Sequence, residues 1–290
     1  MIRAPHACFL SFDIEDWFQS ENLRSLVPRS LWDGQQLRVA ESTERILSIL
    51  EDLDLKATFF ILGWVAERIP SLVKHIQSAG HEVASHGYNH QLIPRQSLQE
   101  FEQDIVRSKR LLEDMTGQAV KGYRAPCFSI NDDAIDILRK HGFTYDSSLH
   151  PFAMHQRYGS LTLPSGQGPA PRRPFEVRSG FWEIPISVVR AGNLTIPWAG
   201  GGYFRMLPYC IFRLGLPNIL REASLVFYLH PWELDRGQPD VPGMSLATRL
   251  RHSGGTRTAE LRLRRFLEEW SRKLTFMRIS DALTDGRGIR

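Results

Sequence analysis

The chain has 290 residues, 42% of them apolar, enough for one large domain or two small ones. Lys and Arg outnumber Asp and Glu 36 to 32, a net charge of +4 spread without a block of five like charges, which argues against a nucleic-acid partner. Three cysteines (Cys8, Cys127 and Cys210), odd in number and without metal-type spacing, argue against a disulfide framework.

No run of about 18 apolar residues offers a membrane span. The opening MIRAPHACFLSFD lacks the apolar stretch of a secretory leader, so a cytoplasmic protein is expected. Peripheral attachment to the inner face of the membrane is compatible with the basic helix around Arg262, Arg264 and Arg265.

In chain order, residues 8–12 form an apolar run that reads as a strand, ending in Asp13, Glu15 and Asp16. Residues 42–53 carry Ile46, Leu47, Ile49, Leu50 and Leu53 along one helical stripe. The run Ala57 to Leu62 predicts a buried strand, and residues 71–79 a short helix after Pro70 that stops at Gly80. A strand over 82–85 precedes a long helix over 97–115, in which Ser97 and Glu100 form a capping box. A strand near Tyr123, a helix over 131–141 closed by Gly142, and a strand over 143–146 follow.

Residues 147–206 break this rhythm. They are rich in Pro, Gly and Arg, with β-like pieces at 175–178 and 181–188, and read as an irregular insertion carrying a hairpin. Alternation resumes with a helix over 207–222, a strand over 225–229, a helix over 257–273 and a strand-helix remnant over 275–284. The expectation is one domain over 1–290, with its core in 8–146 and 207–285. Strands alternating with helices predict an α/β fold with parallel strands.

Chemistry-bearing residues stand where the predicted strands end. Asp13, Glu15 and Asp16 follow the first; His86 and His90 ("SHGYNH") follow 82–85; Arg124 follows the strand near 123; Asp146 ends the next; His230 ("FYLHPWELD") follows 225–229. Taken singly, each has an ordinary explanation: the acids a solvated loop or helix start, His230 a core histidine. Yet the carboxyl ends of parallel strands are where α/β proteins build their sites. The H-x-x-x-H spacing would put both imidazoles on one side of a helical turn, suited to a divalent metal, and a carboxylate as third ligand leaves positions open. The set points to a metal-assisted hydrolase.

The ordered motifs "SFDIED", "HGYNH", "YRAP", "YDSS" and "YLHP" resemble the NodB-homology polysaccharide deacetylases, carbohydrate esterase family 4, over about residues 9–235. "SFDIEDWFQ", "GGGYFRMLP" and "FYLHPWELD" resemble more narrowly the deacetylases of exosortase-type exopolysaccharide loci. The resemblance implies an irregular (β/α) barrel of seven parallel strands. It implies Asp13 as catalytic base, Arg124 as the base's partner, His230 as catalytic acid and Asp146 as the acid orienting it. His86 and His90 become ligands of a divalent metal, usually zinc. The family's adjacent acid pair is here split by Ile14, leaving Glu15 or Asp16 as the carboxylate ligand; an extended chain would favour Glu15. Cys127 stands where an aromatic residue is common and reads as filler. The implied reaction removes N-acetyl groups from an amino-sugar glycan or its lipid-linked precursor in exopolysaccharide synthesis. The rival readings are an amidohydrolase acting on a small amide or ureide, and a non-catalytic sugar-binding member.

Overall fold

The computed structural model describes residues 6–152, 158–163, 170–192 and 194–286. Its strands are β1 (His6–Ile14), β2 (Thr58–Ile61), β3 (Glu82–Ser85), β4 (Gly122–Tyr123), β5 (Tyr145–Asp146), β6 (Phe175–Arg178), β7 (Phe181–Glu183), β8 (Val188–Ala191), β9 (Leu194–Pro197), β10 (Leu225–Leu229) and β11 (Leu274–Met277). One curled sheet runs β10-β1-β2-β3-β4-β5-β7-β6, with β11 beside the start of β1, and β8 and β9 form a separate ribbon. Seven strands on that path run parallel, β11 is an eighth, and β6 returns antiparallel to β7. This half-barrel wrapped by helices is the irregular (β/α) barrel expected.

The alternation of side chains along β1 explains the layers. Cys8, Leu10, Phe12 and Ile14 belong to the large cluster shared with the helices, whereas Ala7 and Phe9 join Phe60, Ala84, Tyr145 and Val226 in a second cluster. Both faces are buried, so β1 reads as a continuous apolar run. Each fully buried aromatic of the inner face contributes about 1.5–3 kcal/mol by its removal from water. Ser11 and Asp13 continue the parity of Phe9, so the inner face turns polar toward the carboxyl end.

The helix Leu98–Thr116 starts on the expected capping box: Glu100 N–H donates to Ser97 Oγ (3.2 Å) and Ser97 N–H to Glu100 Oε2 (2.7 Å). The helix expected over 42–53 begins earlier, at Val39, because its first N–H groups find a distant cap in Asp16. Helices Gly63–Arg68, Gly201–Met206 and Leu246–Ser253 carry too few periodic residues to be read from the sequence. The hairpin expected after residue 174 is present, but β7 also joins the main sheet beside β5. Parts of the expected insertion, 153–157, 164–169 and 193, lie outside the described residues.

Candidate active site

Five parallel strands deliver their carboxyl ends to one place. The ladder continues just past them: His86 N–H donates to Ile61 O (3.0 Å), Arg124 N–H to Ser85 O (3.0 Å) and Ser147 N–H to Tyr123 O (3.0 Å). Each chemistry-bearing residue thus leaves its strand on fixed backbone.

Glu15, His86 and His90 converge, each buried, with one potential ligand atom apiece inside 4.8 Å of the others. His86 Nδ1 lies 2.8 Å from the carbonyl of Arg124. A carbonyl can only accept, so Nδ1 carries the proton and Nε2 keeps its lone pair. Burial pulls the His86 imidazole down to about 4, so it is neutral, the form a metal requires. Glu15 Oε2 lies 2.7 Å from His90 Nε2, yet this buried oxygen accepts no hydrogen bond of normal geometry. Burial pushes the Glu15 carboxyl up, but His90, His230 and His86 outweigh it and hold it well below the usual carboxylate range. An ionised carboxylate with an orphaned oxygen between two imidazoles fits a divalent cation. The residue set is a carboxylate with two nitrogens.

The histidine pair does not sit on a helical turn, as its spacing suggested. Residues 86–90 form a loop with Gly87 and His90 both at positive φ (73° and 52°), and its shape comes from Asp104. That carboxylate accepts from the N–H groups of Tyr88 (2.6 Å) and Asn89 (2.9 Å). A Cβ on Gly87 would fall 2.8 Å from Asp104 Oδ2.

Asp13 and Arg124 face each other, NH1 donating to Oδ1 at 2.6 Å. Arg124 is fully buried and donates also to Ser11 Oγ and to the carbonyl and hydroxyl oxygens of Ser147, each at 2.9 Å. Its guanidinium lies 4.1 Å above the Phe60 ring. Four hydrogen bonds fix the guanidinium, so Asp13 is held with Oδ2 toward the cavity. Across it stands His230, whose Nε2 lies 3.3 Å from Glu15 Oε1 and 3.8 Å from Asp13 Oδ2. Burial pulls His230 down, but Glu15, Glu233 and Asp13 outweigh it and push it up to about 9.

Two of the candidate residues lie in other contacts. Asp146 is buried at the end of β5 and accepts from Ser148 N–H (3.0 Å) and Oγ–H (2.6 Å), but its carboxyl partner is Glu183, directly opposite on β7. The orienting contact expected of Asp146 comes from Glu233, whose Oε2 accepts from His230 Nδ1 at 2.9 Å. Asp16 also stands apart from the histidine pair: its oxygens accept from the N–H groups of Trp17 (2.8 Å), Arg38 (2.7 Å) and Val39 (2.9 Å). Of the two candidate carboxylates, the geometry brings Glu15 to the imidazoles.

Sequence reasoning also missed Trp232, which donates from Nε1 to Glu15 Oε1 (3.1 Å) and stacks on His230 at 5.1 Å between centroids. Glu233 carried a readable signal, because an acid three residues after His230, the residue that leaves the strand, has the spacing of a capping box. These groups line a cavity of about 330 Å³ whose wall includes Cys127, Phe128, Tyr158, Tyr203 and Tyr228. Three of the four described non-glycine residues at positive φ border it: His90, Cys127 and Phe128. Such backbone costs about 1–3 kcal/mol per residue and gathers at functional sites.

A (β/α) half-barrel with a carboxylate–imidazole cluster at its strand ends, beside a paired acid and a buried histidine, defines a class of hydrolases. Within it, residues 31–145 form a polysaccharide deacetylase domain. The polysaccharide deacetylase family model matches residues 31–145, and a domain of unknown function (DUF3473) matches 147–284. The chain is 37% identical over 175 residues to a peptidoglycan deacetylase of Helicobacter pylori, a match spanning 60% of this chain and 57% of that protein. Its fold is similar to that of a Mycobacterium smegmatis protein assigned to the polysaccharide deacetylases (TM-score 0.63, 20% identity, 98% of this chain and 92% of that one). It is also similar to a carbohydrate esterase family 4 pseudoenzyme of Bacillus anthracis (TM-score 0.53, 16% identity, 97% and 66%). Active and inactive proteins share this fold, so the function must be argued from the residues.

Proposed function

We propose that the protein is a metal-dependent deacetylase that removes N-acetyl groups from an amino-sugar glycan, a polymer or its precursor, in exopolysaccharide synthesis. The observation that carries this reading is the convergence of Glu15, His86 and His90 beside the Asp13–Arg124 pair and His230. A pseudoenzyme would have lost part of that set.

Glu15, His86 and His90 would hold the cation, zinc being suited to one carboxylate and two imidazoles. When bound, a divalent cation polarises the acetyl carbonyl and makes water a better nucleophile at neutral pH. Asp13 accepts the proton of the attacking water through Oδ2, while Arg124 keeps Oδ1 occupied and the carboxylate aimed. His230 presents Nε2 across the cavity and hands a proton to the departing nitrogen, because an amide anion is a very poor leaving group. The aromatic wall of Phe128, Tyr158, Tyr203 and Tyr228 offers apolar faces for a sugar ring. The motifs "GGGYFRMLP" and "FYLHPWELD" support the exopolysaccharide setting.

Acetate release from N-acetylglucosamine oligomers by the zinc- or cobalt-loaded protein tests the reading. Release is expected, and it should vanish on chelation. Hydrolysis of small amides or ureides alone would replace the glycan reading, and silence on every amide would favour a sugar-binding role.

A further inference from the structure

The family models divide the chain at 145–147, and that division also splits the candidate site. Asp13, Glu15, His86, His90 and Arg124 all precede it; His230 follows it, in the segment to which no function is attached. Behind His230 stands a buried pair that the mechanism above does not use. Glu233 Oε2 accepts from both the backbone N–H (3.0 Å) and Nδ1 (2.9 Å) of His230, and its Oε1 accepts from Arg205 Nε at 2.6 Å. Glu233 and Arg205 are 1% and 2% exposed, too little for water to orient either.

Arg205 is itself held from the same segment. It donates to the carbonyls of Gly254 and Arg251, and Arg262 donates to the carbonyls of Phe204 (2.7 Å), Arg205 (2.7 Å) and Leu207 (2.6 Å). Two glycines permit these approaches. Gly200, at φ 147°, passes so close to β10 that a Cβ would fall 2.1 Å from Tyr228 O; at Gly255 it would fall 2.5 Å from Arg205 O. The sequence "AGGGYFR" thus seals the edge of β10 and turns Arg205 inward behind His230.

We propose that residues 147–284 constitute the acid half of the active site, in which the buried Arg205–Glu233 pair positions His230. A carboxylate can only accept, so Glu233 holds one imidazole proton on Nδ1 and turns Nε2, which carries the proton to be donated, toward the cavity. Arg205 holds that carboxylate charged and in place, a charge-assisted contact that a neutral residue would not reproduce. Glu233 and Arg205 are positioning residues that act through His230. The inference rests on the role of His230 given above, and its test separates the two.

The isosteric Glu233→Gln is compared with wild type in kcat and KM on an N-acetylglucosamine oligomer and on 4-nitrophenyl acetate, whose leaving group departs without a proton. The amide kcat should fall about 10–100-fold with KM unchanged, and the ester rate should fall less. In a His230→Ala background, Glu233→Gln should cost nothing further on the amide. Equal losses on ester and amide, or the same loss with and without His230, would overturn the proposal by showing a merely structural role. Arg205→Gln, which removes the cation opposite Glu233, carries the same cycle if Glu233→Gln does not fold. Independently of turnover, ¹⁵N spectra of histidine-labelled, metal-free protein should show a protonated, hydrogen-bonded Nδ1 of His230, assigned with His230→Ala, and that signal should weaken in Glu233→Gln. A wild type that shows this signal but releases no acetate would sink the deacetylase reading and leave the positioning pair standing. An unchanged His230 signal in Glu233→Gln would do the reverse.

Discussion

Asp13, Glu15 and Asp16 are three carboxylates within four residues, and their environments give each a different task. Asp13 is neutralised by Arg124, Glu15 by imidazoles, and Asp16 by three backbone N–H groups. Burial raises Asp16 to about 6 despite those bonds, the mark of a cap enclosed by structure. Glu15→Ala should therefore lose bound metal with little change in Tm. Asp16→Ala should keep metal but lose about 2 kcal/mol, since three N–H donors lose their acceptor. Metal analysis and thermal unfolding of the two variants side by side check this; metal loss confined to Asp16→Ala would reverse the assignment.

Asp146 and Glu183 form a second buried carboxyl pair, and burial pushes both upward, Asp146 to about 6. An acid raised on folding binds its proton more tightly in the native state. Its penalty is absent below the unfolded value near 4 and grows as pH rises through about 6. Glu183→Gln removes one of the two facing charges, so its Tm relative to wild type should improve between pH 5 and pH 8. A constant difference across that range would show that the pair does not titrate on folding.

At the scale of elements, strand ends were legible because apolar runs of four or five residues stop abruptly at residues that do not pack in cores. The loop between β3 and the long helix was not, because H-x-x-x-H spacing suits a helix as well as a bend. What decides it is Asp104, nearly two turns into the helix Leu98–Thr116 and distant in sequence from the histidines it organises. Removing an outer support of this kind typically costs about 10–100-fold in metal affinity. Asp104→Ala should show that loss in a zinc titration while retaining both histidines, and unchanged affinity would mean that the loop holds its shape without the carboxylate. The ribbon β8–β9 was missed although "VVRAGNLTIP" carries a Gly-Asn turn signal between two β-rich runs. Its Pro- and Arg-rich surroundings masked that pattern.

For the whole molecule, the parallel sheet and the order of the site residues could be read from the sequence, whereas the division of labour across it could not. Residues 8–146 announce themselves by regular alternation. The later half looks irregular, yet β7 and β10 end the parallel run of that strand path on its two sides and His230 reaches back to Glu15. Contacts such as Trp232 to Glu15, 217 positions apart, or Arg124 to Asp13, 111 apart, leave no local trace. Among the described residues no helix is long and apolar enough to cross a membrane.

On the proposed reading, Glu15, His86 and His90 hold a metal without which Asp13 and His230 cannot cleave an acetamide. The most direct measurement is elemental analysis of His86→Ala beside wild type, paired with acetate release from an N-acetylglucosamine oligomer before and after chelation and zinc replacement. Wild type should carry about one metal per chain, lose activity on chelation and regain it with zinc. His86→Ala should fold, carry none and stay silent. Undiminished metal in His86→Ala, or acetate release that survives chelation, would contradict the account.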